Sequence, residues 1–183
     1  VGDVGAGLVV EANGDLHAQR LVERDVGHAG GETGAGRALP AHVRAGLRGN
    51  ALVTFSISPK ALMDLWVRRL CAHGVRSFWI YDVLLGTDNM LRLAKVAKEA
   101  NAHVAGAIMF ALSPVHTDQY FVDKAKILAA DPNVDSILLY DTAGVLERER
   151  LKTLVPALKK IANGKPIEMH SNNLLGMSAN AYL

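Results

Sequence analysis

Between Asn50 and His170, short apolar runs recur with their centres roughly 27 to 32 residues apart, the length of a strand plus a crossover helix. They are "NALVTF" at 50–55, "SFWIYD" at 77–82, "AHVAGAIMF" at 102–110, "DSILLYD" at 135–141 and "PIEMH" at 166–170. Helical patterns fill the gaps. "PKALMDLWVRRLCAHG" puts Leu62, Leu65, Trp66 and Leu70 on one stripe and stops at Gly74, and "TDNMLRLAKVAKEAN" opens on a cap-like Thr87 and ends at Asn101. "TDQYFVDKAKILAADP" follows, then "LERERLKTLVPALKKIANG", which closes on Lys159, Lys160 and Gly164 and carries Pro156 where it can kink or split the helix. A strand that returns through a helix lies parallel to its predecessor, so the expected class is α/β with five parallel strands and four helices.

This pattern fits a (β/α) barrel or an open doubly wound sheet. Several strands end in a polar residue, namely Asp82, Asp141 and His170, with Ser113 and His116 just beyond another. In a barrel such ends converge on one face, whereas an open sheet gathers them at a switch point. The strand ends lean toward the barrel.

Composition narrows the function classes. Half of the 183 residues are hydrophobic, enough for one domain with a core. The net charge of +2 comes from 20 basic and 18 acidic residues that are interspersed, so neither nucleic acid nor an anionic membrane is an expected partner. Cys71 stands alone in an apolar helical pattern, which leaves no disulfide framework and favours a reducing, cytoplasmic setting. The longest run without a polar side chain, Val104 to Leu112, is far short of the ~20 residues that span a bilayer, so neither a span nor a signal peptide is expected.

Residues 1–45 differ from the rest, and 46–183 are expected to form the folded unit. The first segment holds no Ile, Met, Phe, Tyr, Trp, Lys, Ser or Cys, yet carries nine of the seventeen glycines. That is poor material for a core and reads as irregular or non-native. "VGDVGAG" lacks the glycine spacing of a dinucleotide loop. Nearly every residue type present is encoded by codons beginning with G or C, which motivates the hypothesis of a frame shift or a foreign junction. An intact reading frame in the coding DNA would sink it.

His170 and Asn172 form an H-x-N pair on one face of a strand end. They fit either a metal site, with the imidazole as the stronger ligand, or a hydrogen-bonded cluster. Asp141, opening "DTAG", and Asp82 read either as mouth residues or as turn and cap acids. Arg48 in "LRGN" precedes an apolar run, and its guanidinium would suit a substrate carboxylate. His73, His103 and His116 read as structural or surface residues, and Trp66 and Trp79 as core.

Taken in order, "LRGN", "DLWVRRLCAHGVRSFWIYD", "DNMLRLAKVAKEANAHVAGAI", "LSPVHT", "SILLYDTAGVL" and "PIEMHSNNLLGMSANAYL" resemble the carboxyltransferase domain of biotin-dependent enzymes. Pyruvate carboxylase, the oxaloacetate decarboxylase alpha subunit and transcarboxylase are the relatives, within a superfamily that includes hydroxymethylglutaryl-CoA lyase. The resemblance covers residues 46–183. It implies a partial (β/α)8 TIM barrel, about strands three to seven, and biotin-dependent carboxyl transfer or decarboxylation on a 2-oxo acid such as pyruvate or oxaloacetate. The chemistry it implies is metal-assisted and runs through an enolate, with carboxybiotin presented by a biotin carboxyl carrier domain or subunit.

The resemblance gives Arg48 the substrate carboxylate, and the strand-end Asp82 is expected in substrate binding beside it. It places Tyr140 and Asp141 at the catalytic mouth, and assigns a divalent zinc, manganese or cobalt ion to His170 and Asn172. Two positions depart from the family pattern: Tyr140 stands where a carboxylated lysine is implied, and Asn172 where a second histidine is. A phenol of pKa about 10 and a neutral amide are poor substitutes for those ligands. Two other readings therefore stand beside the first: a non-catalytic homologue or fragment serving as a binding or scaffold module, and an acyl-CoA lyase or synthase of the same superfamily. An incomplete barrel exposes strand edges, so an oligomer is expected.

Overall fold

The computed structural model describes residues 44–52 and 56–176. Its elements alternate without exception: β1 (Arg44–Arg48), α1 (Lys60–Ala72), β2 (Ser77–Tyr81), α2 (Thr87–Glu99), β3 (His103–Met109), α3 (Asp118–Ala130), β4 (Ser136–Asp141), α4 (Arg148–Ile161) and β5 (Ile167–Ser171). The strands form one parallel sheet in the order β1-β2-β3-β4-β5. The order never reverses, so this sheet lacks the switch point of a doubly wound fold. Among the described residues the outer edges of β1 and β5 carry no strand partner. No helix among them is long and apolar enough to cross a membrane.

Each strand is read on both faces, and the faces differ. One carries Leu47, Phe78, Ile80, Val104, Ile108, Ile137 and Leu139, all buried in a single cluster with the helices. The helices contribute Met63, Val67 and Cys71 from α1, Met90, Leu93 and Ala97 from α2, Phe121, Ala125 and Leu128 from α3, and Leu151, Leu154 and Leu158 from α4. Burial holds the Cys71 thiol above its usual pKa despite nearby Arg76, so it behaves as a small core residue. The opposite face holds a separate, smaller cluster of Trp79, Ala105, Ala107, Leu138 and Tyr140, with no helix residue in it.

That second face is concave. A flat sheet of five strands spaced about 4.7–4.9 Å apart would separate its edges by roughly 19 Å. Yet Arg44 of β1 forms an ion pair with Glu168 of β5, and Glu168 also accepts a hydrogen bond from Ser136 Oγ of β4. The two edge strands can share a side-chain contact only if the sheet curls around this face. Small residues permit the curl: Gly46, Ala105 and Ala107 lie beneath Trp79 and its neighbours. A Cβ on Gly46 would come within 2.8 Å of Trp79 Cζ2. Gly46→Ala is therefore expected to destabilise the protein by about 1–3 kcal/mol through overpacking. Urea denaturation measures this, and an unchanged midpoint would mean that the indole repacks at no cost.

Several expectations need correction. The first strand is Arg44–Arg48, not 50–55: residues 49–52 form a bend and coil, and 53–55 lie outside the described residues. Two residues of β1 thus precede the expected boundary at 46, while 1–43, with the "VGDVGAG" stretch, lie outside the described residues. In α1 the sheet-facing row is Met63, Val67 and Cys71; Leu62 and Leu65 point outward, and Trp66 and Leu70 are partly covered. Gly86 is the N-cap of α2, and Thr87 is its first helical residue. Pro156 neither splits nor ends α4, because it lies on the exposed side, where the carbonyl it frees can meet water. The expected helix stops agree with the structure, since Gly74, Asn101 and Gly164 all adopt positive φ after their helices.

Candidate functional site

Register and alternation bring five strand ends together. Arg48 lies opposite Tyr81, Met109 opposite Tyr140, and Tyr140 opposite His170, so the concave-face side chains at the carboxyl ends form a contiguous row. Arg48 Nε donates to Tyr81 Oη at 3.2 Å. The Tyr81 and Tyr140 rings meet edge-on at 5.5 Å, and Tyr140 meets the His170 imidazole edge-on at 4.9 Å. Trp79 stacks on the other side of His170 at 6.2 Å, and His170 Nε2 lies 3.0 Å from Asn172 Oδ1.

Beside this row lies a pocket of about 320 Å³. Its polar lining comes from Arg48, Asn50, Thr142 and Asn172 with the phenols of Tyr81 and Tyr140, while Ile57, Val83 and Met109 close it with apolar surface. Its volume falls at the small end of the range for ligand sites, about 300–1,000 Å³.

Arg48, Tyr140 and Asn172 thus line one pocket, with His170 packed against Tyr140 and hydrogen-bonded to Asn172. The two aspartates do not line it. Asp82 is buried, accepts a hydrogen bond from the Leu84 backbone N–H at 2.9 Å, and is packed so closely that a Cβ on Gly49 would lie 2.9 Å from its Oδ2. Asp141 is buried too, and accepts from the N–H groups of Val145 (3.0 Å) and Leu146 (2.9 Å) and from Ser171 Oγ (3.1 Å). Alternation explains both. A residue next to Tyr81 or Tyr140 faces the helices, where its carboxylate organises the strand-to-helix turn.

Sequence reading missed Tyr81, Asn50 and Thr142 as pocket residues, although parity was a usable signal: the residue before each strand-end aspartate faces the other way. It also missed the Arg44–Glu168–Ser136 cluster at the amino end of the concave face. Burial pushes the Glu168 carboxyl up, but hydrogen bonds from Arg44 and Ser136 and the nearby positive charge prevail and hold it below the usual range.

The residues present do not fit the divalent metal that the resemblance implies. The candidate ligand atoms of His170 and Asn172 are engaged with each other at 3.0 Å. The third position is Tyr140, whose ring edge packs on the imidazole. Among the described residues no group of three or more His, Cys, Asp or Glu could hold an ion. One imidazole and one neutral amide fall short of the three or four strong donors such ions take.

No protein-family model matches the chain. A pyruvate carboxylase subunit of Methanocaldococcus jannaschii is 36% identical over 137 residues, covering 75% of this chain and 24% of that protein. The carboxyltransferase domain of Rhizobium etli pyruvate carboxylase superposes with a TM-score of 0.72 at 25% identity, covering 78% of this chain and 24% of that one. The chain is a relative of the carboxyltransferases of biotin-dependent enzymes. The methylmalonyl-CoA carboxyltransferase 5S subunit of Propionibacterium freudenreichii subsp. shermanii agrees, at 29% identity over 133 residues, 72% of this chain and 26% of that protein. The chain spans about a quarter of the length of the carboxyltransferase relatives it matches.

Proposed function

We propose that the concave mouth is a carboxyltransferase-type site for a small 2-oxo acid, on an arc corresponding to strands three to seven of a (β/α)8 barrel. The observation that carries this reading is Arg48, at the carboxyl end of β1 in a pocket with Tyr81, Tyr140 and Asn172. A guanidinium takes a carboxylate through two parallel hydrogen bonds, and its Nε contact with Tyr81 fixes the plane of the fork. The Tyr140 phenol donates to the substrate carbonyl oxygen as it becomes an enolate, where a fixed donor is worth most. Carboxybiotin presented by a partner carrier domain would supply the carboxyl group, with Arg48 and Tyr140 holding the acceptor acid.

The test is binding of pyruvate and oxaloacetate by calorimetry. Arg48→Ala is expected to weaken it by roughly 10- to 100-fold, the loss of about 1.5–3 kcal/mol from a charged hydrogen-bond set. Equal affinity in the variant would remove Arg48 from the substrate site.

The ligand set at Tyr140 and Asn172 favours a second reading, in which the pocket binds the acid without turning it over. Carboxyl exchange between carboxybiotin and pyruvate separates the two, and exchange that required an acyl-CoA instead would assign the site to the lyase side of the superfamily.

A further inference from the structure

We infer that this mouth holds its carboxylate without a divalent cation, and that Asn172 occupies the place where a metal-binding histidine would otherwise stand. The inference rests on the carboxylate-site reading of Arg48 and adds to it the charge balance of the pocket. A site built for a divalent ion places anionic or strongly basic donors around one point. Here the nearest groups are an imidazole and an amide committed to one another, with a phenol beside them. Asn172 Oδ1 turns to His170 Nε2 at 3.0 Å, which leaves the amide nitrogen as the end of the side chain able to donate into the pocket that Asn172 lines. Tyr140 presents a phenol, also a donor, and Arg48 a permanent positive charge.

Every polar side chain that lines the pocket can therefore donate to an anion. The carboxylates at this end of the strands, Asp82 and Asp141, are buried toward the helices, where they accept hydrogen bonds from turn N–H groups and Ser171, and Glu168 at the amino end of the concave face is paired with Arg44. The resulting site is electropositive and suited to a small monocarboxylate such as a 2-oxo acid. The cation's share of charge neutralisation passes to Arg48 and to the aligned amide and phenol dipoles.

The isosteric change Asn172→Asp separates this arrangement from a metal site, because it alters charge without altering volume. Binding of pyruvate is measured by calorimetry in excess EDTA and again with excess manganese, and zinc binding is measured directly in the absence of pyruvate. The wild type is expected to bind pyruvate equally well in EDTA and in manganese and to retain no stoichiometric zinc. Asn172→Asp is expected to weaken pyruvate binding at least tenfold in EDTA, through like-charge repulsion, and to raise zinc affinity at least tenfold by adding an ionic ligand beside His170. Circular dichroism confirms that the variant is folded.

Pyruvate binding by the wild type only in manganese, or one zinc per chain lost on His170→Ala, overturns the inference and leaves the carboxylate site standing. Unchanged pyruvate affinity in folded Asn172→Asp removes Asn172 from the anion site and overturns it as well. Absence of pyruvate binding under both conditions overturns the carboxylate-site reading itself, and the inference with it.

Discussion

Asp141→Ala is expected to lower the stability of the protein by about 3 kcal/mol and to abolish pyruvate binding at the mouth in the same step. Asp141 is 1% exposed, and its carboxylate satisfies the N–H groups of Val145 and Leu146 together with Ser171 Oγ. Truncation strands two backbone donors in a region closed by Leu146, and an orphaned buried group costs about 1–3 kcal/mol. Local rearrangement keeps the total in the lower half of the range that two such groups sum to, about 2–6 kcal/mol. Binding suffers because this hub fixes both flanks of the site: Thr142 follows Asp141 directly, and the Asn172 backbone N–H bonds to the Asp141 carbonyl at 3.2 Å. Asp141→Asn retains one acceptor and should fall about halfway between. Chemical denaturation of the three proteins gives the ordering, and full stability in the alanine variant would show that the turn is held by other contacts.

The second large effect concerns acid. Glu168 has its folded pKa below the ordinary carboxylate value, and so has Asp135, where burial acts upward but hydrogen bonds from Lys98 and the Val104 N–H prevail. A depressed folded pKa contributes stability that is fully present above the unfolded value, about 4.3 for Glu and 3.9 for Asp, and is lost as pH falls through the folded value. The protein should therefore hold a plateau above about pH 5 and lose stability steadily below about pH 4.

Glu168→Gln removes part of that slope. At neutral pH it is expected to cost about 2–3 kcal/mol, less than the 3–5 of a fully buried pair, because the Arg44 and Glu168 side chains remain 19% and 27% exposed. The cost is concentrated on Arg44, whose Nε and Nη2 are already buried without a partner among the described residues. The gap between wild type and variant should narrow as pH falls, because protonation removes the same charge from the wild type. A gap that stays constant from neutral pH to pH 3 would show that the ion pair is not its source.

Four of the five strands lie within one residue of where hydrophobic runs placed them. The first did not, for a physical reason. "RAGLR" has a glycine at its centre and an arginine at each end, poor strand material by propensity. Gly46 is small because Trp79 lies over it, and the two arginines face the concave wall, to Glu168 and to Tyr81. All three choices are made by contacts with other strands, which the local sequence does not record. "NALVTF", richer in apolar residues, was the more persuasive decoy.

His170 and Asn172 were legible as neighbours from alternation at one strand end, whereas Arg48, which the sequence put ahead of an apolar run, and Tyr140 joined them only through the resemblance. Asp82 and Asp141 sit at the same level on the other parity. In a sheet buried on both sides the apolar pattern does not alternate, so the composition of the run could not reveal which face each acid took.

The division of the sheet into two faces has a historical consequence. Nearly all of the apolar burial that holds the strands and helices together lies on the convex side, whereas the concave wall holds a small cluster and the pocket. Substitutions on the wall can accumulate in a lineage while the convex packing passes unaltered to descendants. Tyr140 and Asn172 stand on that wall, and the partition leaves it open to rewriting by selection.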